Sequence, residues 1–406
     1  MLLEVEPGER KCGCCGLEMV AVSEETTEIL DYDPARFRII EIVRPKYACK
    51  SHEESGVCMA PMPARPIPKG MASSGLIAHV IAAKYDDHLP LYRQSRIFRS
   101  TGVELDENTL GDWIKGSAQL LAPIADAIRL ELLKSHVLHA DETTIRVLAP
   151  GENKTKSRRG YLWVYHEAGG NTLLRYTPGR GEEGPVRELR GFHGHLMIDG
   201  YDGYNAAIRQ GGIIPLACWA HVRRGFHDAR GDDPEICKIA IEAIRELYAI
   251  ERKATERGLS AEERLNLRSK EAAPLIEGFH EWLQSVADRN LPGGAVSQAI
   301  HYALNRWDKL KKYLQDGRLP IDNNAAERTM KHVAVGRKNW LFAGSEAGAE
   351  RAATLYSLVL TCRSFGINAR EYLKSALQQM AEDPARAAEL TPRAWKARTS
   401  STGILP

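Results

Sequence analysis

Three acidic residues, Asp141, Asp199 and Glu327, stand in segments that can bring them together across gaps of 58 residues (141 to 199) and 128 residues (199 to 327). Asp141 interrupts the period-two apolar run Val137–Val147, and Asp199 ends the run Gly194–Ile198. Glu327 follows Ile321-Asp322-Asn323-Asn324, where Pro320 stops the preceding element and Asp322 is a fitting N-cap for a helix. On such a helix Asn323, Glu327 and Lys331 share one face. Two aspartates and a glutamate at the end of a sheet make an oxygen-ligand site. Mg²⁺ takes a few carboxylates and completes its shell with water and phosphate oxygens. Two such ions serve in-line displacement at a phosphodiester. Arg328, Arg337 and Lys338 beside the glutamate, and Arg223 and Arg224 after the fifth strand, suit the phosphates of a nucleic acid. Taken alone, the Glu327 stretch also reads as a solvated helix with a Glu327–Lys331 ion pair.

The elements around these acids follow from patterning. Val137–Val147, Tyr161–Tyr165 and Thr172–Tyr176 read as three successive strands, with a basic tip from Lys154 to Arg159. A short helix around Val186–Leu189 leads to a fourth strand, Gly194–Ile198, and Gly200–Tyr204 turns the chain into another helix. A fifth strand, Ile213–Ala217, runs into Cys218-Trp219-Ala220-His221. The order βββαβαβ matches an RNase H-like mixed sheet, in which the first and fourth strands are neighbours and Asp141 meets Asp199. Residues 234–316 are helical by periodicity, with one helix expected to run from Val296 through Leu314, and form an all-α insertion before the glutamate helix. Helices are expected from about Ala347 to Arg363 and again from Arg370, and residues 390–406 read as a loose tail.

Cysteine spacing supplies a second kind of chemistry. Cys12 and Cys15 form a C-x2-C knuckle, followed by a strand-like run Arg38–Val43 and a Cys49-x2-His52 pair. Together they offer four ligands to a tetrahedral structural zinc, with Cys58 as the substitute for His52. So short a module has little core of its own, which a metal would staple. Cys218 and His221 repeat the C-x2-H spacing near the acids. They either hold the insertion to the core, the reading favoured here, or ligate metal.

The resulting segments are a zinc-finger-like module (1–60), a linker and helical region (61–135), a catalytic core in two parts (136–233 and 317–345), the insertion (234–316) and a helical C-terminal segment with its tail (346–406). Pro61, Pro63, Pro66 and Pro68 stiffen the linker. Its helices, one ending near Pro90, one carrying Arg93, Arg96 and Arg99, and a short third one capped by Asp106 or Asn108, are compatible with a helix-turn-helix, although a plain bundle is the commoner outcome. Eight cysteines without a signal peptide or long apolar run indicate a cytoplasmic protein with thiols or metal rather than disulfides. The net charge of +2 is too small to argue for nucleic acid globally, so that argument rests on local basic patches.

Several motifs carry a resemblance. His139-Ala140-Asp141-Glu142-Thr143-Thr144, Asp199-Gly200-Tyr201, Cys218-Trp219-Ala220-His221-Val222-Arg223-Arg224, Asp322-Asn323-Asn324 with Glu327-Arg328, Arg337-Lys338-Asn339 with Phe342-Ala343-Gly344-Ser345, and Lys46-Tyr47-Ala48-Cys49 resemble transposases of the insertion sequence sixty-six family. The resemblance implies a DDE transposase: an α/β protein with an RNase H-like mixed sheet core, an all-α insertion, an N-terminal zinc-ribbon-like module and a helical C-terminal segment. It implies the triad Asp141, Asp199 and Glu327 on two Mg²⁺ ions, with Asn323, Cys218 and His221 in support and Asp202 and Glu142 unselected. It further implies a structural Zn²⁺, element ends and target DNA as partners, assembly as a homo-oligomer on DNA and accessory proteins from the same element. Nucleoid association when bound to DNA follows. The family's second knuckle usually reads C-x2-C where this chain has Cys49-x2-His52. Such transposases carry a further region before the zinc module, whereas Met1 lies almost on the first knuckle, as in a shortened copy or an internal start. A DNA-binding derivative without catalysis and an RNase H-like nuclease that only hydrolyses are the rival readings.

Overall fold

Period-two patterning between residues 137 and 217 produces a single five-stranded sheet. The structure, a computed structural model, describes residues 6, 9–24, 26–30, 36–48, 56–148, 157–289 and 293–401. Two units are distinct, Met1–Arg44 and Pro45–Pro406. In the first, Cys12 opens a tight turn in which the Gly16 N–H donates to the Cys12 carbonyl (2.9 Å) and Lys11 bridges to Glu18. The strand expected at 38–43 does not form. No ladder pairs it among the described residues, and Ile39 is 98% exposed, so its apolar side chains find nothing to pack on.

The second unit starts with the hairpin-like pair β1 (Lys46–Ala48) and β2 (Val57–Met59). Helices α1 (Ser74–Tyr85), α2 (Leu91–Ser100) and α3 (Glu107–Leu132) follow. Asp106 caps α3 through the Thr109 N–H (2.7 Å). That helix is not the short one expected but runs 26 residues, through Pro123, because a buried stripe from Leu110 to Leu132 keeps packing.

The sheet comprises β3 (Val137–Leu148), β4 (Ser157–His166), β5 (Thr172–Thr177), then, after α4 (Glu183–Glu188), β6 (Gly194–Ile198) and, after α5 (Asn205–Arg209), β7 (Ile213–Ala217). Its order is β5-β4-β3-β6-β7, antiparallel between the first three and parallel between β3, β6 and β7. This is the RNase H-like arrangement. After α6 (Trp219–Asp228), the insertion comprises α7 (Pro234–Glu256), α8 (Ala261–Leu267), α9 (Ala273–Ala287), α10 (Ala295–Leu304) and α11 (Trp307–Leu310). The helix expected over 296–314 breaks at Asn305–Arg306, after which Trp307 packs edge-on to Trp219 at 5.7 Å between centroids.

Helix α12 (Asn324–Trp340) starts later than expected. Asn323, not Asp322, holds the N-cap position, while the Asp322 carboxylate accepts the Asn324 N–H (3.0 Å). Helices α13 (Glu346–Phe365), α14 (Ala369–Glu382) and α15 (Pro392–Ser401) complete the chain. The edge strand β5 is closed off by α13: Ser357 and Thr361 hydroxyls accept the Leu174 and Thr172 N–H groups at 2.8 and 3.0 Å. The expected loose tail is instead ordered through α15. Trp395 packs on Tyr372 (6.1 Å between centroids) and Thr391 donates to Glu131 (2.7 Å).

One side chain ties the insertion together. Arg268 is 1% exposed, and its guanidinium donates to both Glu251 carboxylate oxygens (2.7 and 2.8 Å) and to the carbonyls of Tyr313, Asp316 and Leu319 (2.6, 2.8 and 2.9 Å). All five of its N–H groups are thereby used. Removing it leaves a carboxylate and three carbonyls short of partners, so Arg268→Ala should destabilise the protein by about 3–5 kcal/mol. Urea denaturation followed by circular dichroism checks this, and an unchanged midpoint would refute it.

Candidate active site

Register brings the first two acids side by side. Val137, Leu138 and His139 pair with His195, Leu196 and Met197 at a constant offset of 58, and carrying that offset two residues further sets Asp141 level with Asp199. The hydrogen-bonded ladder ends at His139, so both carboxylates lie where the two strands part. Asp141 sits where β3 changes from buried (138–140) to half-buried (141–144). Its carboxylate accepts the Glu142 N–H (2.8 Å), and Asp199 accepts the Tyr201 N–H (2.9 Å). Gly200 beside it has φ +98°, and an added Cβ would fall 2.2 Å from the Arg306 Nε. Arg306 reaches the Gly200 carbonyl (3.2 Å) and Tyr302 the Asp199 carbonyl, so α10 and the turn after it grip the end of β6.

Helix α12 delivers Glu327. Asn323, fully buried, donates its amide to the Ala140 carbonyl (2.9 Å) and accepts from His139 Nδ1 (3.1 Å). Glu327 sits one turn on, with its N–H donating to the Asn323 carbonyl (3.2 Å). Its Oε2 accepts from Arg224 of α6 (3.1 Å), a partner different from the expected Lys331. Its Oε1 is buried with no hydrogen-bond partner, as is the nearby Nδ1 of His221. Burial, followed by the negative charges of Glu142, Asp199 and Glu327, pushes the Asp141 carboxyl up to about 7. Asp141 thus feels both other acids, and His221 faces Asp199 and Glu327.

Crowded carboxylates with an orphaned oxygen are the donor set of a hard divalent cation, and these residues fit Mg²⁺. Glu142 is engaged elsewhere, with Arg180 Nε (2.8 Å) and the Tyr204 hydroxyl (3.2 Å), while Asp202 is exposed and bonded to Asn205 (3.0 Å).

The basic residues divide. Arg223 and Arg224 line a cavity of about 500 Å³ together with His227, Arg245 and Arg252, the last two from α7. Arg328 and Lys338 are exposed on α12. Arg337 is half-buried and turned inward, donating to Thr143 Oγ1 (3.0 Å) and the Thr144 carbonyl. It braces α12 on β3 rather than facing solvent, because the acid-bearing strand offers it carbonyl and hydroxyl acceptors.

The family model described as "Transposase IS66 family" matches residues 69–351. The chain belongs to that family. A second model, the zinc-finger binding domain of transposase IS66, matches residues 9–51. The chain is 34% identical to the Sinorhizobium fredii protein y4hP over 97% of its own length and 75% of that protein's. It is also 34% identical to y4jD of the same organism, over 97% of this chain and 80% of the relative.

For an IS66 transposase the N-terminal match supports a zinc-binding module, and Cys12 and Cys15 lie within it. Cys12 is drawn down to about 7 by the backbone N–H groups of Cys14 and Cys15, the environment of a thiolate ligand. Cys49 and His52 lie outside the described residues, while Cys58 sits on β2 opposite Tyr47. Among the described residues no helix is long and apolar enough to cross a membrane. Sequence reasoning missed Tyr302, Arg306, Arg245 and Arg252. Only their helical face within 234–316 was legible, because contact with the core depends on how the insertion folds back.

An acid raised from its ordinary value favours the folded state when protonated. Its penalty is absent below about pH 4, grows as pH rises toward 7, and is complete above. Chelator-treated protein should therefore lose stability across that window, and Asp141→Asn should stabilise it at pH 8 by roughly 1–3 kcal/mol. Equal wild-type and variant denaturation midpoints at pH 8 would contradict this origin.

Proposed function

We propose that Asp141, Asp199 and Glu327 are the catalytic acids of this transposase, which cleaves the 3′ ends of a DNA element and joins them to target DNA. The observation that carries the reading is the convergence of three acids on adjacent strands and a late helix, felt by Asp141 as a carboxyl held near 7. Two bound Mg²⁺ ions would lower the pKa of the attacking hydroxyl and neutralise charge on the departing oxygen. Asp141 and Asp199 would hold them from the sheet and Glu327 from α12. In cleavage, water oxygen bonds to the phosphorus as the 3′ oxygen departs with a proton. In joining, the freed 3′ hydroxyl attacks a target phosphate and the target's own 3′ oxygen leaves.

The chain's cations would position the strands. Arg224, 54% exposed and held by Glu327 Oε2 and by His221 at 3.4 Å, can swing from the acid to a phosphate. Arg223, Arg245 and Arg252 bring further charge to the same cavity, and Arg328 and Lys338 extend it along α12. Assembly as a homo-oligomer on the element ends, with accessory proteins of the element, fits two ends being joined in one event.

Asp141→Asn, Asp199→Asn and Glu327→Gln should each abolish cleavage and joining of labelled element ends in Mg²⁺ while retaining DNA binding. Glu142→Gln and Asp202→Asn should keep measurable activity. Normal joining by Glu327→Gln would sink the assignment, and cleavage without joining in the wild type would favour a nuclease.

Each true phosphate contact among Arg223, Arg245 and Arg252 should flatten the salt dependence of binding by about one unit of log–log slope when changed to alanine. An unaltered slope in the triple variant would remove the cavity from the DNA path.

A further inference from the structure

The corner between β7 and α6 carries, inside the core, the C-x2-H spacing of a metal knuckle. Cys218 is fully buried at the N-cap position of α6, and its sulfur accepts the Asn323 N–H at 3.1 Å. The N–H groups of Ala220 and His221 also lie against that sulfur. Burial outweighs these amides and pushes the Cys218 thiol up to about 12, so it is the placement of the three groups that speaks for a site. Ligand atoms of Cys218, His221 and Glu327 all lie within 4.8 Å of one another.

Packing accounts for Cys218 but not for the other two. His221 Nδ1 and Glu327 Oε1 are buried, unpartnered and 3.7 Å apart, too far for a hydrogen bond. Two ligands about 2.0–2.2 Å from a shared tetrahedral ion stand about 3.3–3.6 Å apart, so a small closure makes them ligands. The Arg224 guanidinium, 3.1 Å from Glu327 Oε2 and 3.4 Å from His221 Nε2, is the cation now serving both groups. Being half-exposed, it can turn away.

We propose that Cys218, His221 and Glu327 bind a zinc-class divalent ion. Sulfur and imidazole select a borderline-soft ion over Mg²⁺. Three protein ligands leave a fourth position to water or another group, the pattern of an open rather than a closed structural site. Glu327 is shared with the proposed catalytic acids, and the ion would tie α6 to α12 beside them. The inference rests on that reading only in this shared residue, since the other two ligands are distinct.

The test is metal content of the full-length protein after equilibrium dialysis against zinc. The wild type should hold two zinc ions per chain, Cys12→Ser/Cys15→Ser one, and His221→Ala one. In the Cys12→Ser/Cys15→Ser background, cobalt should give a thiolate-to-metal charge-transfer band in the near ultraviolet that Cys218→Ser abolishes. Two ions retained by folded His221→Ala, or no such band in the Cys12→Ser/Cys15→Ser protein, would overturn the site. The cobalt band needs no folding of a Cys218 or His221 variant. If the acid variants fail to join DNA but the band is absent, this inference fails and the catalytic reading stands. If the band is present but Asp141→Asn and Asp199→Asn still join DNA, the reverse holds.

Discussion

The buried residue Asn323 is the contact on which the arrangement of acids depends. Its side-chain amide bonds His139 and Ala140 on β3, its backbone N–H donates to Cys218 after β7, and its carbonyl accepts the Glu327 N–H on α12. Each bond contributes only about 0.5–1.5 kcal/mol, but leaving any partner unpaired in the interior costs about 1–3 kcal/mol. Together they exclude alternatives. From Asn323 to Glu327 is one helical turn, about 6 Å along the axis, so little bending can accumulate between the anchor and the carboxylate. Arg337, three turns on, pins the other end of the helix to Thr143 and Thr144. Helix α12 is thus fixed to the acid-bearing strand on both sides of Asp141.

That double attachment explains how a long helical insertion interrupts the core without loosening it. A flexible loop's closure cost grows slowly with length, so the added residues are tolerated if their ends return to fixed points. Here the ends are held by Trp219, whose indole donates to the Leu310 carbonyl (3.1 Å) and whose N–H donates to Ile321 (3.2 Å). Arg268 closes the far side around Tyr313, Asp316 and Leu319. The insertion also returns something to the site. Tyr302 and Arg306 hold the backbone of Asp199 and Gly200, where the positive φ leaves no room for a side chain.

Legibility in the sequence followed the range of the interactions involved. Strands β6 and β7 coincide with their expected bounds because a continuous apolar run ended by Asp199 or Cys218 reports its own limits. The pairing of β3 with β6 was legible through the βββαβαβ order. Features that depend on distant partners were not. Residues 38–43 have strand-like composition yet no ladder among the described residues, since a strand needs a neighbour that local pattern does not supply. Residues 392–401 lack an evident apolar stripe, yet they fold on Tyr372, and Thr391 just before them bonds Glu131. Arg337 read as a surface cation because its acceptors lie 193 and 194 residues away. Asp322 had the right chemistry for a cap, but the buried bonds of Asn323 moved the helix start by one position.

The electrostatics of the site set what can occupy it. Asp141, Asp199 and Glu327 gather in a partly buried space where Arg224 pairs with Glu327 alone of the three and is about half exposed. An ion pair of that exposure is worth no more than about 1 kcal/mol, too little to offset the burial and the repulsion that lift Asp141. Protonation of Asp141 relieves both below about pH 7, and on the proposed reading a divalent cation would relieve them above. The two forms of relief compete for the same oxygens. On the proposed reading, cation binding would strengthen with rising pH, displacing the Asp141 proton and competing with Arg224 for Glu327. A released Arg224 faces the cavity it shares with Arg223, Arg245 and Arg252. If the acids hold metal as proposed, filling the cluster and charging the neighbouring cavity for an anionic strand would be one event rather than two.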